Sequence, residues 1–372
     1  MNERLRVIQW GTGNVGHEAL RAILESPELE LAGVLVYSAE KDGVDAGALC
    51  GLPATGVRAT RDREAMLRVP ADCVVYAPRH AFLEEVCSIL ASGKNVVATP
   101  FLFYPPALAP ADLAKLEAAC TQGRASVHGT GIHPGFVGEV LPLVLSGMTR
   151  RIEHLHVQER ANWSQYASPR ITFDNMRFGA PPEQATLEAN PFARFNSGIF
   201  QEQLHLLAAG LGAQLERVDV EQELIAATVA SEIVGGRIEV GTVSGQRYRW
   251  QGIVAGQPAL EIEALWTVGP GYPEHWSRPR EGWTVTLEGA PSLRAHFTNA
   301  ASFARARETP IADHVHAADV ATALQAVNAI VPVCQAPPGV RTFLDLPLIR
   351  GRTSLARSGR APTPRRSDSR AR

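Results

Sequence analysis

Three glycines near the N-terminus have the spacing of a loop that binds the phosphates of a dinucleotide. The motif GTGNVG follows a short apolar segment, 6–10, and opens a stretch with helical periodicity, which is the context that this motif requires. The first glycine permits a tight turn, the second lets the backbone approach a pyrophosphate, and the third allows helix and strand to pack closely. Free N–H groups at the helix N-terminus then attract the anion. The residues of the motif are Gly11, Thr12, Gly13, Asn14, Val15 and Gly16.

The end of the second predicted strand bears on which nicotinamide cofactor binds. Ser38 follows the apolar segment 29–37, and Lys41 lies three residues further on. An enzyme that uses NAD usually has an acid here for the ribose 2′-hydroxyl, whereas a hydroxyl and an ammonium suit a 2′-phosphate. The sequence therefore favours NADP(H), while Glu40 keeps NAD(H) possible.

Three later strand ends are predicted to complete the cofactor cleft, because the carboxyl ends of parallel strands meet at one edge of a sheet. One of them is a second glycine-rich turn, 129–135, whose backbone N–H groups suit a carboxamide or an oxyanion. The predicted cofactor-binding residues at these strand ends are Ala77, Pro78, Arg79, Thr99, Gly131, His133 and Pro134.

Two side chains at these strand ends are the first candidates for proton transfer. His133 has an imidazole that titrates near neutral pH, and Tyr104 has a phenolic hydroxyl. Tyr166 and Glu159 are held in reserve, since Glu159 lies at the end of a predicted strand at 151–160 and Tyr166 follows it. The alternative for each is structural, as a satisfied loop histidine or a buried tyrosine. Phe101, Phe103 and Tyr166 are the predicted wall of the substrate pocket.

The elements that must position these residues fall into two groups. Up to about residue 135, short apolar strands alternate with helices, which predicts an α/β Rossmann domain with a doubly wound parallel sheet. After a helix at 200–211, extended segments separated by glycine and proline turns predict an α+β domain with a mostly antiparallel sheet. These segments are 216–227, 237–250, 259–268, 283–288 and 292–298.

The predicted domain boundaries follow this change of pattern. The Rossmann domain takes residues 1–140 and the α+β substrate domain takes 141–310. Residues 311–350 contain an apolar helix, 317–331, which is expected to return and pack on the first domain. Residues 351–372 are predicted to be a disordered basic tail, because they contain seven arginines, one acid and almost no apolar side chains.

Composition excludes several classes of function. The tail has a net charge of +6, so residues 1–350 have −8, which argues against a nucleic-acid partner. No uninterrupted run of about 18 apolar residues is present, so no membrane span is expected. Five scattered cysteines and the absence of an apolar leader favour a reduced, cytoplasmic setting. His154 and His156 share a strand face, but no further ligands are marked, so no metal site is predicted.

Several of these motifs together resemble the dihydrodipicolinate-reductase-like family that includes 2,4-diaminopentanoate dehydrogenases and native amine dehydrogenases. The similar stretches are 9–16, 72–78, 95–99 with Tyr104-Pro105, 129–136, 241–247 and 328–347. The resemblance implies a Rossmann domain, a second domain for substrate binding and dimerisation, a homodimer, and hydride transfer from NAD(P)H to a C=N carbon. It also implies a glutamate before the Tyr-Pro pair that activates ammonia, where this chain has Pro100 and Phe101.

The sequence therefore predicts an NAD(P)H-dependent reductase that acts on a C=N bond of a small organic substrate. One alternative is a carbonyl or alcohol oxidoreductase, which needs no acid to handle ammonia. Another is an NAD(P)-binding protein without catalysis, supported only by the missing glutamate and the basic tail.

Overall fold

The computed structural model describes residues 4–277 and 280–351. The predicted basic tail therefore lies almost wholly outside the described residues. The first sheet has seven parallel strands in the order β15-β6-β5-β4-β1-β2-β3. Its strands are β1 (Leu5–Trp10), β2 (Leu29–Leu35), β3 (Ala59–Thr60), β4 (Cys73–Tyr76), β5 (Asn95–Ala98), β6 (Ser126–Gly129) and β15 (Gly339–Val340).

This sheet confirms the predicted doubly wound arrangement. The helices between its strands are α1 (Asn14–Glu25), α2 (Ala46–Leu49), α3 (Arg63–Arg68), α4 (Leu83–Ala91) and α5 (Pro110–Gly123). The chain runs outward from β1 to β3 and then returns to β4 on the other side of β1, so the strand order reverses between β1 and β4. Ligands of such sheets bind at the carboxyl ends of the strands beside this reversal.

The second sheet has six strands in the order β14-β13-β7-β12-β11-β8, and only β7 and β12 pair in parallel. Its strands are β7 (Ile152–Asn162), β8 (Arg217–Ala226), β11 (Val243–Val254), β12 (Gln257–Thr267), β13 (Gly282–Gly289) and β14 (Leu293–Phe297). β9 (Ser231–Ile233) and β10 (Gly236–Ile238) form a separate hairpin. The sequence predicted one segment over 237–250, but Gly241 turns the chain there with a φ of +85° and separates β10 from β11.

The predicted helix at 200–211 is longer in the structure, α7 (Pro191–Leu211), and it covers the inner face of this second sheet. Trp250 donates its indole N–H to Ser197 at 2.8 Å and stacks on Phe200 with ring centroids 4.4 Å apart. Trp250 is therefore buried against this helix. Two short helices, α6 (Leu141–Ser146) and α8 (Glu274–Ser277), lie in the connections.

The C-terminal helix, α9 (Ile311–Gln335), returns to the first domain as predicted and packs against α1, β4 and β5. It begins earlier than the predicted 317, and by length and composition it is apolar enough to cross a membrane. Asp313, Asp319 and Asn328 interrupt it, so it contains no uninterrupted run of 18 apolar residues. Ala326 and Ile330 are fully buried in a cluster with Val75 and Val97, so this apolar face is used inside the fold.

Placing a charge on the inner face of α9 should therefore destabilise the protein. We expect Ala326→Asp to lower the free energy of unfolding by about 3 kcal/mol, because the carboxylate would have no partner in the core. The matched control is Leu324→Asp on the same helix, since Leu324 is 42% exposed. Urea unfolding followed by circular dichroism checks both variants. Equal stability of the two would contradict the packing described for α9.

Candidate functional site: a cleft over the glycine-rich turn

The glycine-rich turn has the geometry that each of its glycines was predicted to provide. Gly11 has a φ of +90°, and a Cβ there would lie 2.8 Å from the carbonyl oxygen of Ala77, which follows β4. A Cβ on Gly16 would lie 2.2 Å from the carbonyl oxygen of Gly11. No atom lies within 4 Å of a Cβ built on Gly13, and no side chain caps the start of α1. Open space and free N–H groups therefore fit a pyrophosphate at the strand-order reversal.

A cleft of about 1180 Å³, including its open mouth, lies between this turn and the second domain. We call it the interdomain cleft. Many of the predicted cofactor and pocket residues line it, namely Gly13, Asn14, Val15, Ala77, Pro78, Arg79, Phe103, Thr99, Gly131, His133, Pro134 and Tyr166. Its apolar wall comes mostly from residues that the sequence did not identify, namely Ile132, Ile171, Phe192, Phe195 and Ile199.

The predicted pocket residue Phe101 and the predicted proton donor Tyr104 lie outside the lining of the cleft. The ring of Phe101 is buried in the core with its centroid 6.1 Å from that of Tyr76, so Pro100 and Phe103 line the cleft instead. Tyr104 is half-buried and faces Asp345, which follows β15. Burial and the charge of Asp345 raise the pKa of Tyr104. The position of a residue at a strand end therefore did not determine which way its side chain points.

The turn that carries Phe103 and Tyr104 is held by a buried acid from α7. Glu202 accepts a hydrogen bond from the backbone N–H of Tyr104 at 2.9 Å. Burial raises the pKa of Glu202 to about 7, although the backbone N–H groups of Tyr104 and Phe103 oppose this shift. Glu202 thus holds the segment that contains Pro100 and Phe101, where the resemblance implied an acid. Glu202 itself is not part of the cleft lining.

His133 and Glu159, which lie far apart in sequence, form a buried pair at the base of the cleft. The Nδ1 atom of His133 lies 2.5 Å from Oε2 of Glu159, and the His133 side chain is fully buried. Trp283 donates to the same carboxylate oxygen at 3.0 Å, and Trp266 donates to Oε1 at 2.8 Å. Burial alone would raise the pKa of Glu159, but these hydrogen bonds and the charge of His133 hold it below its ordinary value.

The other nitrogen of His133 also has a partner. Its Nε2 atom lies 3.4 Å from the side-chain amide nitrogen of Gln203 on α7. A Cβ on Gly138 would lie 2.2 Å from that amide, so glycine at this position makes room for Gln203. With both ring nitrogens engaged, His133 supports the turn 131–135, and the sequence prediction that it moves protons stays a prediction.

Tyr166 approaches the glycine-rich turn from the second domain and meets an acid that the sequence analysis missed. Its side chain shares the cleft lining with Asn14 and with Asp319, which belongs to α9 and is buried at the cleft wall. Burial and the charge of Asp319 raise the pKa of Tyr166 above its ordinary value. Asp319 interrupts the apolar pattern of its helix, and that interruption is the sequence signal that would have identified it.

Ser38 and Lys41 lie beside the glycine-rich turn, outside the interdomain cleft. Ser38 follows β2 and begins a single 3-10 turn, 39–41. The Nζ atom of Lys41 donates to the carbonyl oxygen of Thr12 at 2.7 Å and lies 3.3 Å from its hydroxyl. Glu40 is exposed. A hydroxyl and an ammonium therefore stand at the edge of the turn where a cofactor ribose is expected.

A cluster on the outer face of the second sheet groups His156 with Glu261 and Glu263 within 4.8 Å, the spacing of metal ligands. Arg249 forms an ion pair with Glu261 at 3.1 Å, and Arg247 forms one with Glu263 at 2.5 Å. These guanidinium groups already neutralise the carboxylate charges that would otherwise attract a cation.

Comparisons with known proteins agree with this architecture. The family described as dihydrodipicolinate reductase, N-terminus, matches residues 5–101, and the family described as 2,4-diaminopentanoate dehydrogenase C-terminal domain matches residues 136–360. An amine dehydrogenase from Streptomyces virginiae is 31% identical over 96% of this chain and 99% of its own length. A 2,4-diaminopentanoate dehydrogenase from Acetoanaerobium sticklandii is 22% identical over 94% of this chain and 95% of its own.

A solved structure of an amine dehydrogenase from Mycobacterium smegmatis has the same fold, with a TM-score of 0.75, 22% identity and coverage of 94% of this chain and 98% of the other. The fold, the glycine-rich turn and these relatives define an NAD(P)-dependent oxidoreductase. More narrowly, the chain belongs to the family of the 2,4-diaminopentanoate and amine dehydrogenases. This assignment confirms the resemblance and favours an enzyme over a non-catalytic NAD(P)-binding protein.

Alanine at two of the glycines separates binding from folding. Gly13→Ala should leave the melting temperature nearly unchanged, because its Cβ meets open space at an ordinary φ of −70°. It should weaken NADPH binding about tenfold or more, since the methyl group fills the approach to the backbone. Gly16→Ala should lower the melting temperature, because its Cβ meets a backbone oxygen. Calorimetry and cofactor titration measure both, and equal effects of the two variants would contradict this geometry.

The pKa of Glu159 predicts a pH dependence of stability. Because this pKa is lower in the folded protein than its ordinary value of 4.5, the unfolded chain binds the proton first as the pH falls. The stabilisation is therefore present above about pH 4.5 and is lost as the pH falls through the folded pKa. Glu159→Gln should show a shallower loss of stability below pH 4.5 than wild type in urea unfolding. Parallel pH profiles would contradict the charge assigned to Glu159.

Proposed function

We propose that this protein catalyses NADPH-dependent reduction of a C=N bond, formed from ammonia or an amine and a small apolar carbonyl compound. The observation that carries the proposal is the interdomain cleft itself. Apolar side chains line one side of it and the glycine-rich turn lies on the other. The names of the two relatives, amine dehydrogenase and 2,4-diaminopentanoate dehydrogenase, support an amine as the product.

The polar groups of the cleft support this chemistry. Asp319 is the only carboxylate among the described residues that line it, and Tyr166 holds its hydroxyl against that carboxylate. When bound, the reduced nicotinamide supplies the hydride. Tyr166 and Asp319 would hold and move the proton that the nitrogen atom requires, and Phe103, Phe192 and Ile199 would exclude water from the reacting carbon.

Oxidation of NADPH at 340 nm tests the proposal directly. We expect turnover with small apolar ketones only when ammonia is present, and turnover with preformed cyclic imines without it. In the reverse direction, primary amines should reduce NADP⁺. The control is each carbonyl compound with ammonium replaced by sodium at equal ionic strength.

A second candidate function is carbonyl reduction. The absence of an acid at Pro100 and Phe101 favours it, because no carboxylate from that segment lines the cleft among the residues described. Ketone turnover that is equal with and without ammonia, together with silence on imines, would support this candidate and contradict reductive amination.

A preference for NADPH over NADH is the finer part of the proposal. It is supported by Ser38 at the end of β2, where NAD enzymes usually have an acid, and by the ammonium of Lys41 held against Thr12. Arginine and lysine side chains at such positions form charge-assisted hydrogen bonds with phosphate.

Substitutions at these two residues should change the cofactor preference. Lys41→Ala should raise the KM for NADPH about tenfold relative to that for NADH, because one charge-assisted hydrogen bond is lost. Ser38→Asp should shift the preference further toward NADH, since a carboxylate repels a 2′-phosphate. Lys115→Ala on the exposed face of α5 is the matched control. If the ratio of the two KM values is the same in Lys41→Ala as in wild type, Lys41 does not select the cofactor.

A further inference from the structure

His316, on α9, lies between two carboxylates. Its Nδ1 atom is 3.4 Å from Oδ2 of Asp319, and its Nε2 atom is 3.1 Å from Oε1 of Glu18 on α1. A neutral imidazole has one N–H group, so it can donate to only one of these acceptors. Satisfying both contacts requires an additional proton, either on the ring or on one of the carboxyl groups. The three side chains are therefore close enough for a proton to pass between neighbouring members.

The inner end of this group is in the interdomain cleft. Asp319 lines the cleft with only 9% of its surface exposed, Tyr166 lines the same cleft, and the charge of Asp319 raises the pKa of the Tyr166 hydroxyl. Burial raises the pKa of Asp319, while the charge and hydrogen bond of His316 oppose that shift. A carboxyl group with a raised pKa binds a proton more readily than an exposed one and can return it to the phenolic oxygen beside it.

The outer end of the group is at the surface. The His316 side chain is 41% exposed, and Glu18 also contacts the half-exposed His17 at 2.9 Å. The titratable groups that face the Glu18–His316–Asp319 group are His17 from α1, Tyr166 from the second domain and Cys50, whose pKa is raised by burial and by the charge of Glu18. A continuous row of ionisable side chains therefore connects the cleft to solvent.

We propose that Tyr166, Asp319, His316 and Glu18 form a proton relay between solvent and the substrate in the cleft. This inference rests on the proposed function. For each hydride delivered to the carbon of a C=N bond, the Tyr166 O–H bond breaks and its proton binds the substrate nitrogen. The Tyr166 oxygen takes the proton of the Asp319 carboxyl group, Asp319 takes one from Nδ1 of His316, and His316 is reprotonated through Glu18 or water. No electrons move along the relay.

A purely structural role is the competing explanation, because the same contacts join α1, α9 and the loop of Tyr166. Such a clasp would change cofactor affinity and stability. It would not change the kinetics of proton transfer, and small imidazole molecules would not replace it. The test therefore needs readouts of the proton itself.

The substitution His316→Gln keeps an amide of similar reach but cannot bind and release protons near neutral pH. We expect kcat to fall roughly ten- to a hundredfold, with an increased solvent deuterium isotope effect and an unchanged KM for NADPH. In His316→Ala, added imidazole should restore part of kcat, since the site is open to solvent. The matched control is His314→Gln, two residues earlier on α9, where the ring contacts only the carbonyl oxygen of Ala306 among the contacts described. That variant should behave as wild type.

An unchanged kcat and isotope effect in His316→Gln would overturn the relay. So would a loss of activity in His316→Ala that imidazole does not restore and that accompanies a raised KM for NADPH. If the wild-type enzyme does not turn over imines or ketones with ammonia, the proposed function fails, and the relay is tested without catalysis. In that experiment, ¹⁵N spectra of the histidine rings are compared between wild type and Asp319→Asn. The Nδ1 resonance of His316 should differ between the two proteins, and identical resonances would contradict a contact between Nδ1 and Asp319 that shares a proton.

Discussion

The carboxylate of Glu159 connects the two halves of the molecule. It accepts hydrogen bonds from the indoles of Trp266 and Trp283 on the second sheet, and it holds the imidazole of His133 on the turn that follows β6. A buried carboxylate is tolerated only when donors satisfy it, so the turn and the sheet are held to each other. The interdomain cleft depends on this joint, because the turn 131–135 forms one of its walls.

Within the cleft, the polar side chains of Tyr166 and Asp319 lie among mostly apolar residues. Removing water strengthens electrostatic interactions, so Tyr166 and Asp319 influence each other more than they would at the surface. This arrangement differs from the one implied by the family resemblance, in which an acid precedes the Tyr-Pro pair. Here the corresponding segment is apolar at Pro100 and Phe101, and the carboxylate in the cleft comes from the C-terminal helix.

Much of the fold could be predicted from sequence because strand and helix periodicities are local properties. The glycine-rich turn was also predictable, since each of its three glycines answers a separate steric demand. The first two turns of α7 were missed, because Asn196, Ser197 and Gly198 are weak helix formers and are held by tertiary contacts such as that of Ser197 with Trp250. Asp319 was missed because its contact with Asn14 joins opposite ends of the chain. Phe101 and Tyr104 were wrongly expected at the cleft. A position after a strand end locates the backbone of a residue, but it does not determine the direction of the side chain.

A crystal structure of the complex with NADP⁺ and an amine or its ketone is the measurement that tests the account most directly. In that complex, the pyrophosphate should lie against the N–H groups of Gly13 and Val15. The substrate nitrogen or oxygen should lie within hydrogen-bond reach of the Tyr166 hydroxyl, on the side of Asp319. A complex in which the nicotinamide and the substrate lie away from Tyr166 and Asp319 would contradict this placement.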